Sequence, residues 1–379
     1  MDSSIQVRPV NGRGELRDFV KLPWHVYKDD PNWVPPLISD QISYLTPSKN
    51  AFFSRAEVAL FSARRGRKVV GTIAVFVDPI LIEHLDEQVG GFGFFEVIED
   101  YDVAERLLEA ACDWLQARNM SRITGPMNFT RSERPGILIE GADCPPVLYS
   151  GHTPPYYKDF LEEFGMEKDY DLFAYRAFRS QIGEGGENIP PMLTRVAEAA
   201  QKANNATVRK VDMANWEDEV RTAHFLFNDT LKNMAGYVPL SEDDFVKMAN
   251  QMKLFLDPDL ALLAEVDGNA VGFCVAIPDI NRALIHLNGS LYPFGWLKVK
   301  KLIRQVDVVS FKLMGILEKY RRRGIESMLY MEVIKAVYEK GYAWLDGSVT
   351  AEYNKAVNVM AQRMGAERYK HYRLYTKAL

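Results

Sequence analysis

The stretch KYRRRGIESMLYMEVIKAVYEKGY, residues 319–342, places Lys319, Arg321, Arg322 and Arg323 around Gly324 and then becomes strongly periodic. Ile325, Met328, Leu329, Val333, Ala336 and Val337 recur at helical spacing, which predicts a helix with one apolar face starting just after the glycine. The first turn of a helix has N–H groups without partners, and the macrodipole adds about half a positive charge there. With three guanidinium groups, that arrangement suits a pyrophosphate. Upstream, VDVVSFKLMGIL (306–317) alternates as a strand, with Val309, Phe311 and Leu313 to one side and Ser310 and Lys312 to the other. Gly315 interrupts it, the mark of a bulge or of a close approach to its backbone. AWLDGSV (343–349) reads as the next strand. The local order is strand, basic turn, helix, strand.

The whole chain limits what the basic turn can mean. Its 379 residues suit two domains, and its formal net charge of −5 argues against a whole-surface nucleic-acid binder. Cys112, Cys144 and Cys274 are scattered and form no CxxC pair, as expected of a reducing compartment. No run approaches about 18 apolar residues, so the expectation is a cytoplasmic protein with neither membrane nor nucleic-acid partner. The six histidines show no metal-ligand spacing, and no metal is expected.

IGEGGENIPP (182–191) reads as a linker between residues 1–181 and 192–379. The two parts share a pattern. EVALFSARRGRKVVGTIAVFVD (57–78) and LALLAEVDGNAVGFCVAIPD (260–279) both read as hairpins, the second turning at Asp267-Gly268. Further on, Gly165, Glu167 and Tyr175 match Gly365, Glu367 and Tyr375 at an offset of 200, each set ending a helix and entering a Tyr-rich strand pair. The pattern predicts a duplicated α/β (α+β) unit, a mixed and largely antiparallel sheet flanked by helices.

Tyr320-Arg321-Arg322-Arg323-Gly324-Ile325-Glu326-Ser327 resembles the signature of the GCN5-related N-acetyltransferase (GNAT) superfamily, matching at Arg321 and Gly324. The resemblance covers 206–379 and, through the repeat, the front half, so it implies two tandem GNAT-like domains. It implies an acyl-CoA cosubstrate, most simply acetyl-CoA. Arg321, Arg322, Arg323, Gly324, Ile325 and Ser327 would lie at its pyrophosphate, Met314, Gly315, Ile316 and Leu317 along its pantetheine arm, and Asn354 at the next helix start. Two departures stand out: Glu326 replaces a small residue, and Ala361 stands where many members carry a tyrosine acid.

Attack by an amine needs a base. Glu318, before the basic turn, and Asp346, at the end of a strand, are the candidates. Tyr353, Tyr369 and Tyr372 are candidate proton donors. In the front half, Glu99, Asp100 and Asp102 stand where phosphates would need cations, with Asp102 read as a helix N-cap, so that half is expected to bind no CoA. His152, Tyr156 and Tyr157 lie in long loops that could line a pocket, and DDPNWVPPL (29–37) reads as a cover. The expected activity is acyl-CoA-dependent N-acylation of a small-molecule or peptide amine. The alternatives are a CoA-binding protein without catalysis and a transferase that uses another donor such as aminoacyl-tRNA.

Overall fold

A computed structural model describes residues 4–131, 133–183, 187–232, 239–253, 256–292 and 295–379. The predicted linker therefore includes residues, 184–186, that lie outside the described ones. In chain order the strands are β1 (Ile5–Pro9), β2 (Glu57–Arg65), β3 (Lys68–Val77), β4 (Val89–Val97), β5 (Arg122–Gly125), β6 (Ile137–Glu140) and β7 (Glu167–Phe178). The second half adds β8 (Ala206–Lys210), β9 (Ala261–Val266), β10 (Asn269–Pro278), β11 (Val308–Ile316), β12 (Trp344–Ala351) and β13 (Glu367–Ala378). All join one sheet in the order β1-β2-β3-β4-β5-β13-β7-β12-β11-β10-β9-β8, with β6 attached to β13. Pairing is antiparallel except at β4–β5 and β11–β12.

Each half hangs one long helix on its part of the sheet. Tyr101–Gln116 buries Val103, Leu107, Leu108, Ala111 and Leu115, and Ile325–Glu339 buries Ile325, Leu329, Val333 and Val337. At roughly 1.5–3 kcal/mol for each large apolar side chain removed from water, these two stripes anchor the two cores. The expected hairpin turn is present, with Asp267 and Gly268 both at positive φ.

The sheet departs from two independent halves at its centre. Residues 167–178 and 367–378 are each one continuous 12-residue strand rather than a strand pair. β7 pairs with β12 of the second half, β13 pairs with β5 of the first, and the two pair with each other from Glu367↔Arg176 to Thr376↔Glu167. The last strand of each half is thus exchanged into the other's sheet. Asp171 of β7 clamps the seam, taking Nε of Arg373 at 2.8 Å while Nζ of Lys168 lies 2.9 Å away. Burial works against its ionised form, but Arg373 and Lys168 outweigh it and bring the carboxyl down to about 2.

Candidate functional site

The site begins where two strands part. β11 and β12 pair only over Val308–Ser310 with Trp344–Asp346. Beyond that point β12 kinks: Ser348 has φ 60°, and the register against β7 shifts between Asp346 and Val349. Asp346 pins the kink. It is fully buried, accepts the Ser310 hydroxyl and the Ser348 N–H (3.0 Å) on one oxygen, and accepts the Tyr369 hydroxyl (2.9 Å) on the other. The edge of β11 beyond Ser310 is left without a strand partner, so its amides and carbonyls there are open to an extended ligand.

At the far end of that edge lies the basic turn. Gly324 has φ 81° and is packed against the helix Pro191–Asn204, where a Cβ would come within 2.8 Å of Val196. Only glycine meets both demands. The backbone N–H groups of residues 322–326 donate to no acceptor among the described residues, and all three arginines are exposed. They do different things. Arg321 turns inward, donating to the carbonyls of Ile316 (3.0 Å) and Thr230 (2.9 Å), and so holds the turn in shape. Arg323 lies over the Tyr320 ring, and Arg322, at φ 60°, bends the backbone. One oxygen of Glu326 is buried without a hydrogen-bond partner.

Between turn and kink opens a cavity of about 360 Å³, and apolar side chains dominate its lining. Phe311 and Met314 of β11, Tyr330, Val333 and Val337 of the long helix, Leu345 of β12, and Met360 and Ala361 of the helix Lys355–Arg363 form its walls. Ile182 and Asn188–Pro190 close it from the interdomain segment. Phe311 stacks on Tyr330 at 5.3 Å. Ala361, the departure from the family pattern, is part of this wall, and its small side chain leaves room there.

One charged side chain reaches the same cavity. Lys312 is the bulged residue of β11, since its neighbours Phe311 and Leu313 pair with the adjacent residues Ala276 and Val275. Its Nζ donates to the Leu148 carbonyl at 2.6 Å. Burial pulls its pKa below the usual lysine range, against the Asp346 and Asp279 carboxylates, which push it up. Asp279 is itself fully buried and accepts the Leu148 N–H at 3.0 Å, and burial raises its carboxyl to about 6.

The structure brings Met314 to the cavity and sets Asp346, fully buried, between the wall residues Leu345 and Gly347, but it separates the other candidates. Glu318 is exposed on the turn Glu318–Tyr320. Tyr353 is exposed against Tyr170. The Tyr369 hydroxyl is committed to Asp346 and that of Tyr372 to the Gly151 carbonyl, and burial holds both well above the usual tyrosine range. Gly315 marks a close approach, but by the chain itself: a Cβ there would lie 2.0 Å from Thr230 Oγ1. Ile325 and Ile316 are core residues, Leu317 ties back to Val271 through its N–H, and the Ser327 N–H closes on Gly324. Asn354 caps the helix Lys355–Arg363. Lys312 and Asp279 escaped the sequence reading. The only signal for Lys312 was a cation in the middle of an otherwise apolar strand.

In the front half the same opening is filled. β4 and β5 pair over Val89–Gly91 with Arg122–Thr124. Beyond them residues 126–128 take the freed edge: the Met127 N–H donates to Phe92 O at 2.8 Å, and Asn128 Oδ1 accepts the Phe94 N–H at 3.0 Å. The N-cap of its long helix is Asp100, two residues before the expected Asp102, and Asp100 pairs with Arg65 at 2.6 Å. What remains is a cavity of about 80 Å³ that includes His152, Glu96 and Trp33 of the predicted cover. Tyr27 and Tyr157 each donate to Glu96 at 2.9 Å, and burial lifts that carboxyl to about 7. Tyr156 turns away to the Val97 carbonyl. Among the described residues no group of His, Cys, Asp and Glu is placed to hold a metal ion.

Solved structures share this architecture. A tandem GNAT protein from the clavulanic acid biosynthesis pathway superposes with a TM-score of 0.56 at 11% identity, over 99% of this chain and 98% of that one. A GCN5-related N-acetyltransferase from Sphaerobacter thermophilus gives 0.51 at 12%, over 99% and 95%. Fold and site together define a tandem GNAT-like fold with one open and one closed strand fork. No family model matches the chain. Two curated relatives span it: the bacterial ceramide synthase of Caulobacter vibrioides, 34% identical over 100% of this chain and 98% of that one, and protein YghO of Escherichia coli K12, 31% identical over 98% and 95%. The chain belongs to the family of these two proteins, and its fold is that of the tandem GNAT structures.

Proposed function

We propose that this protein transfers a long acyl chain from an acyl-CoA to the primary amine of a long-chain amino alcohol, forming an amide of the ceramide type. The observation that carries this reading is the apolar cavity of about 360 Å³ that continues past the β11–β12 fork, beneath Ala361 and down to Val337. An acetyl group needs no such space, whereas burying a chain gains about 0.8 kcal/mol per methylene. The 34% identity to a bacterial ceramide synthase supports the same product class.

In this reading the amides of residues 322–326, with Arg322 and Arg323, hold the pyrophosphate, and the unpaired edge of β11 runs beside the pantetheine arm. The acceptor arrives as an ammonium, which must lose a proton before its nitrogen can attack the thioester carbonyl. Lys312, buried at the fork with a depressed pKa, takes that proton. The new C–N bond forms as the C–S bond breaks; of the two protons that leave the nitrogen, one ends on the CoA thiol and the other is released to solvent. Asp346 keeps the fork open and does not touch the reacting atoms.

The test is release of free CoA thiol from acyl-CoA donors of increasing chain length, with a long-chain amino alcohol as acceptor and mass detection of the amide. Turnover rising with donor length supports the reading. Turnover confined to acetyl-CoA, or none with any amino alcohol, rejects it.

A further inference from the structure

The connection between β10 and β11 carries a surface that acyl transfer does not explain. From Ile280 to Val306 the sequence holds five cations, Arg282, Lys298, Lys300, Lys301 and Arg304, and no acid, within a chain of net charge −5. The same connection exposes its large apolar side chains: Tyr292 is 87% exposed, Leu297 52% and Leu291 38%. A single exposed leucine is ordinary. Three large apolar groups within seven residues, followed directly by a run of lysines, are not.

The helix Gly295–Ile303 organises them. Leu297, Lys301 and Arg304 follow at intervals of four and three, so they share one face, and Lys298 flanks it. All four are exposed, whereas Leu302 and Ile303 turn partly inward. The base of the connection is pinned to the front half: Trp24 Nε1 donates to Asn288 Oδ1 at 2.8 Å, and the Ile38 N–H donates to the Gly289 carbonyl at 3.0 Å. Its two ends enter the sheet at Asp279 and Val308, where the Asp279 N–H donates to the Val308 carbonyl at 2.8 Å, at the paired end of the fork.

We infer that the face carrying Leu291, Tyr292, Leu297, Lys298, Lys301 and Arg304 docks on the surface of an anionic lipid bilayer. Apolar side chains at the acyl boundary and cations among the headgroups are the two components of interfacial binding, and each lysine or arginine near such a surface adds attraction. Charge complementarity selects the partner: a cationic apolar face fits an anionic leaflet, whereas in a two-fold dimer the same face would meet its own copy's cations. No helix among the described residues is long and apolar enough to cross a membrane, so the contact is peripheral. This replaces the expectation of no membrane partner, which rested on the missing apolar spans. It goes beyond the proposed reaction and stands without it.

The test is co-sedimentation of the full chain, without substrates, with vesicles containing phosphatidylglycerol and with vesicles of phosphatidylcholine alone. The expected result is binding to the first set only, weakened by salt and reduced about tenfold or more in Lys298→Glu/Lys301→Glu and in Tyr292→Asp/Leu297→Asp. The salt titration of the unaltered chain gives an independent reading should either variant misfold. Failure to bind phosphatidylglycerol vesicles, or binding by both variants equal to that of the unaltered chain, overturns the inference. Light scattering that shows a dimer dissociated by Leu297→Asp also overturns it and assigns the face to a second copy.

Discussion

The two strand forks, β4–β5 in front and β11–β12 behind, are built alike and used oppositely. Both are parallel pairs of three residues that then diverge. In front, the chain turns back on itself and residues 126–128 satisfy the freed edge of β4, so closely that a Cβ on Gly93 would sit 1.8 Å from the Met127 carbonyl. Behind, β12 kinks away through Ser348, and among the described residues no segment takes the place of residues 126–128. The helix starts follow suit. Asp100 with its Arg65 partner starts the helix at the closed fork, and bare amides with Arg322 and Arg323 start the one at the open fork. A duplicated fold thus loses a ligand groove by giving its backbone hydrogen bonds to itself.

Exchanging the charged residues of the two forks in thought gives the largest expected effect. Lys312→Met should lower kcat by about 10²-fold or more, the usual contribution of a positioned base. Glu96→Gln, in the small front cavity, should change it by less than about threefold. Thermal midpoints measured beside the rates separate lost chemistry from lost fold. A Lys312→Met enzyme at full rate would remove the base from the back fork.

The strand exchange makes a prediction about stability. Leu108 and Leu329 are both fully buried, one under each long helix. Replacing either by alanine should cost about 2–5 kcal/mol. Because β7 and β13 tie the halves together, each substitution should shift one common thermal transition. Calorimetry that resolves two transitions, each moved by only one variant, would show that the exchanged strands do not couple the cores.

Ala361→Phe puts bulk into the cavity wall and should turn the open fork partly into a closed one. The expected change is selective: turnover with long acyl donors falls about tenfold or more, while that with acetyl-CoA changes far less, since pocket discrimination runs at about 1–3 kcal/mol per methylene. Equal losses for every donor length would place the acyl chain elsewhere.

The sequence declared some of this plainly and hid the rest for physical reasons. The helix after Gly324, the Asp267-Gly268 turn and the offset of 200 between Glu167 and Glu367 are local signals, read from periodicity, turn chemistry and spacing. The strand exchange is not local. Equivalent strands in a duplicated fold satisfy the same pattern in either sheet, so nothing in 167–178 or 367–378 says which one they join. Gly315 was read correctly as a close approach, but a glycine cannot name its neighbour, which proved to be Thr230. Arg321 looked like its two neighbours in the string RRR, and only the fold shows that it is spent on the carbonyls of Ile316 and Thr230. Lys312 needed the bulge, and Asp279 needed the loop 146–152 brought over from the front half.

The smallest expected effect is a shift in a pH profile, and its sign is fixed by the cluster at the back fork. Turnover that depends on neutral Lys312 rises with pH and levels off below the ordinary lysine range, because burial disfavours the ammonium. The Asp279 and Asp346 carboxylates oppose burial by favouring that ammonium. Asp279 becomes ionised only above about 6, so its influence exists only above that pH. Asp279→Asn removes it, lowers the Lys312 pKa further, and should move the rising limb to lower pH by up to about one unit. Below about pH 6, where Asp279 is protonated in the unaltered protein, the two profiles should converge. Glu96→Gln, which removes a carboxyl titrating near 7 in the closed fork, should leave the limb where it is. A limb that moves upward in Asp279→Asn, or one that moves in Glu96→Gln instead, would detach the titration from Lys312.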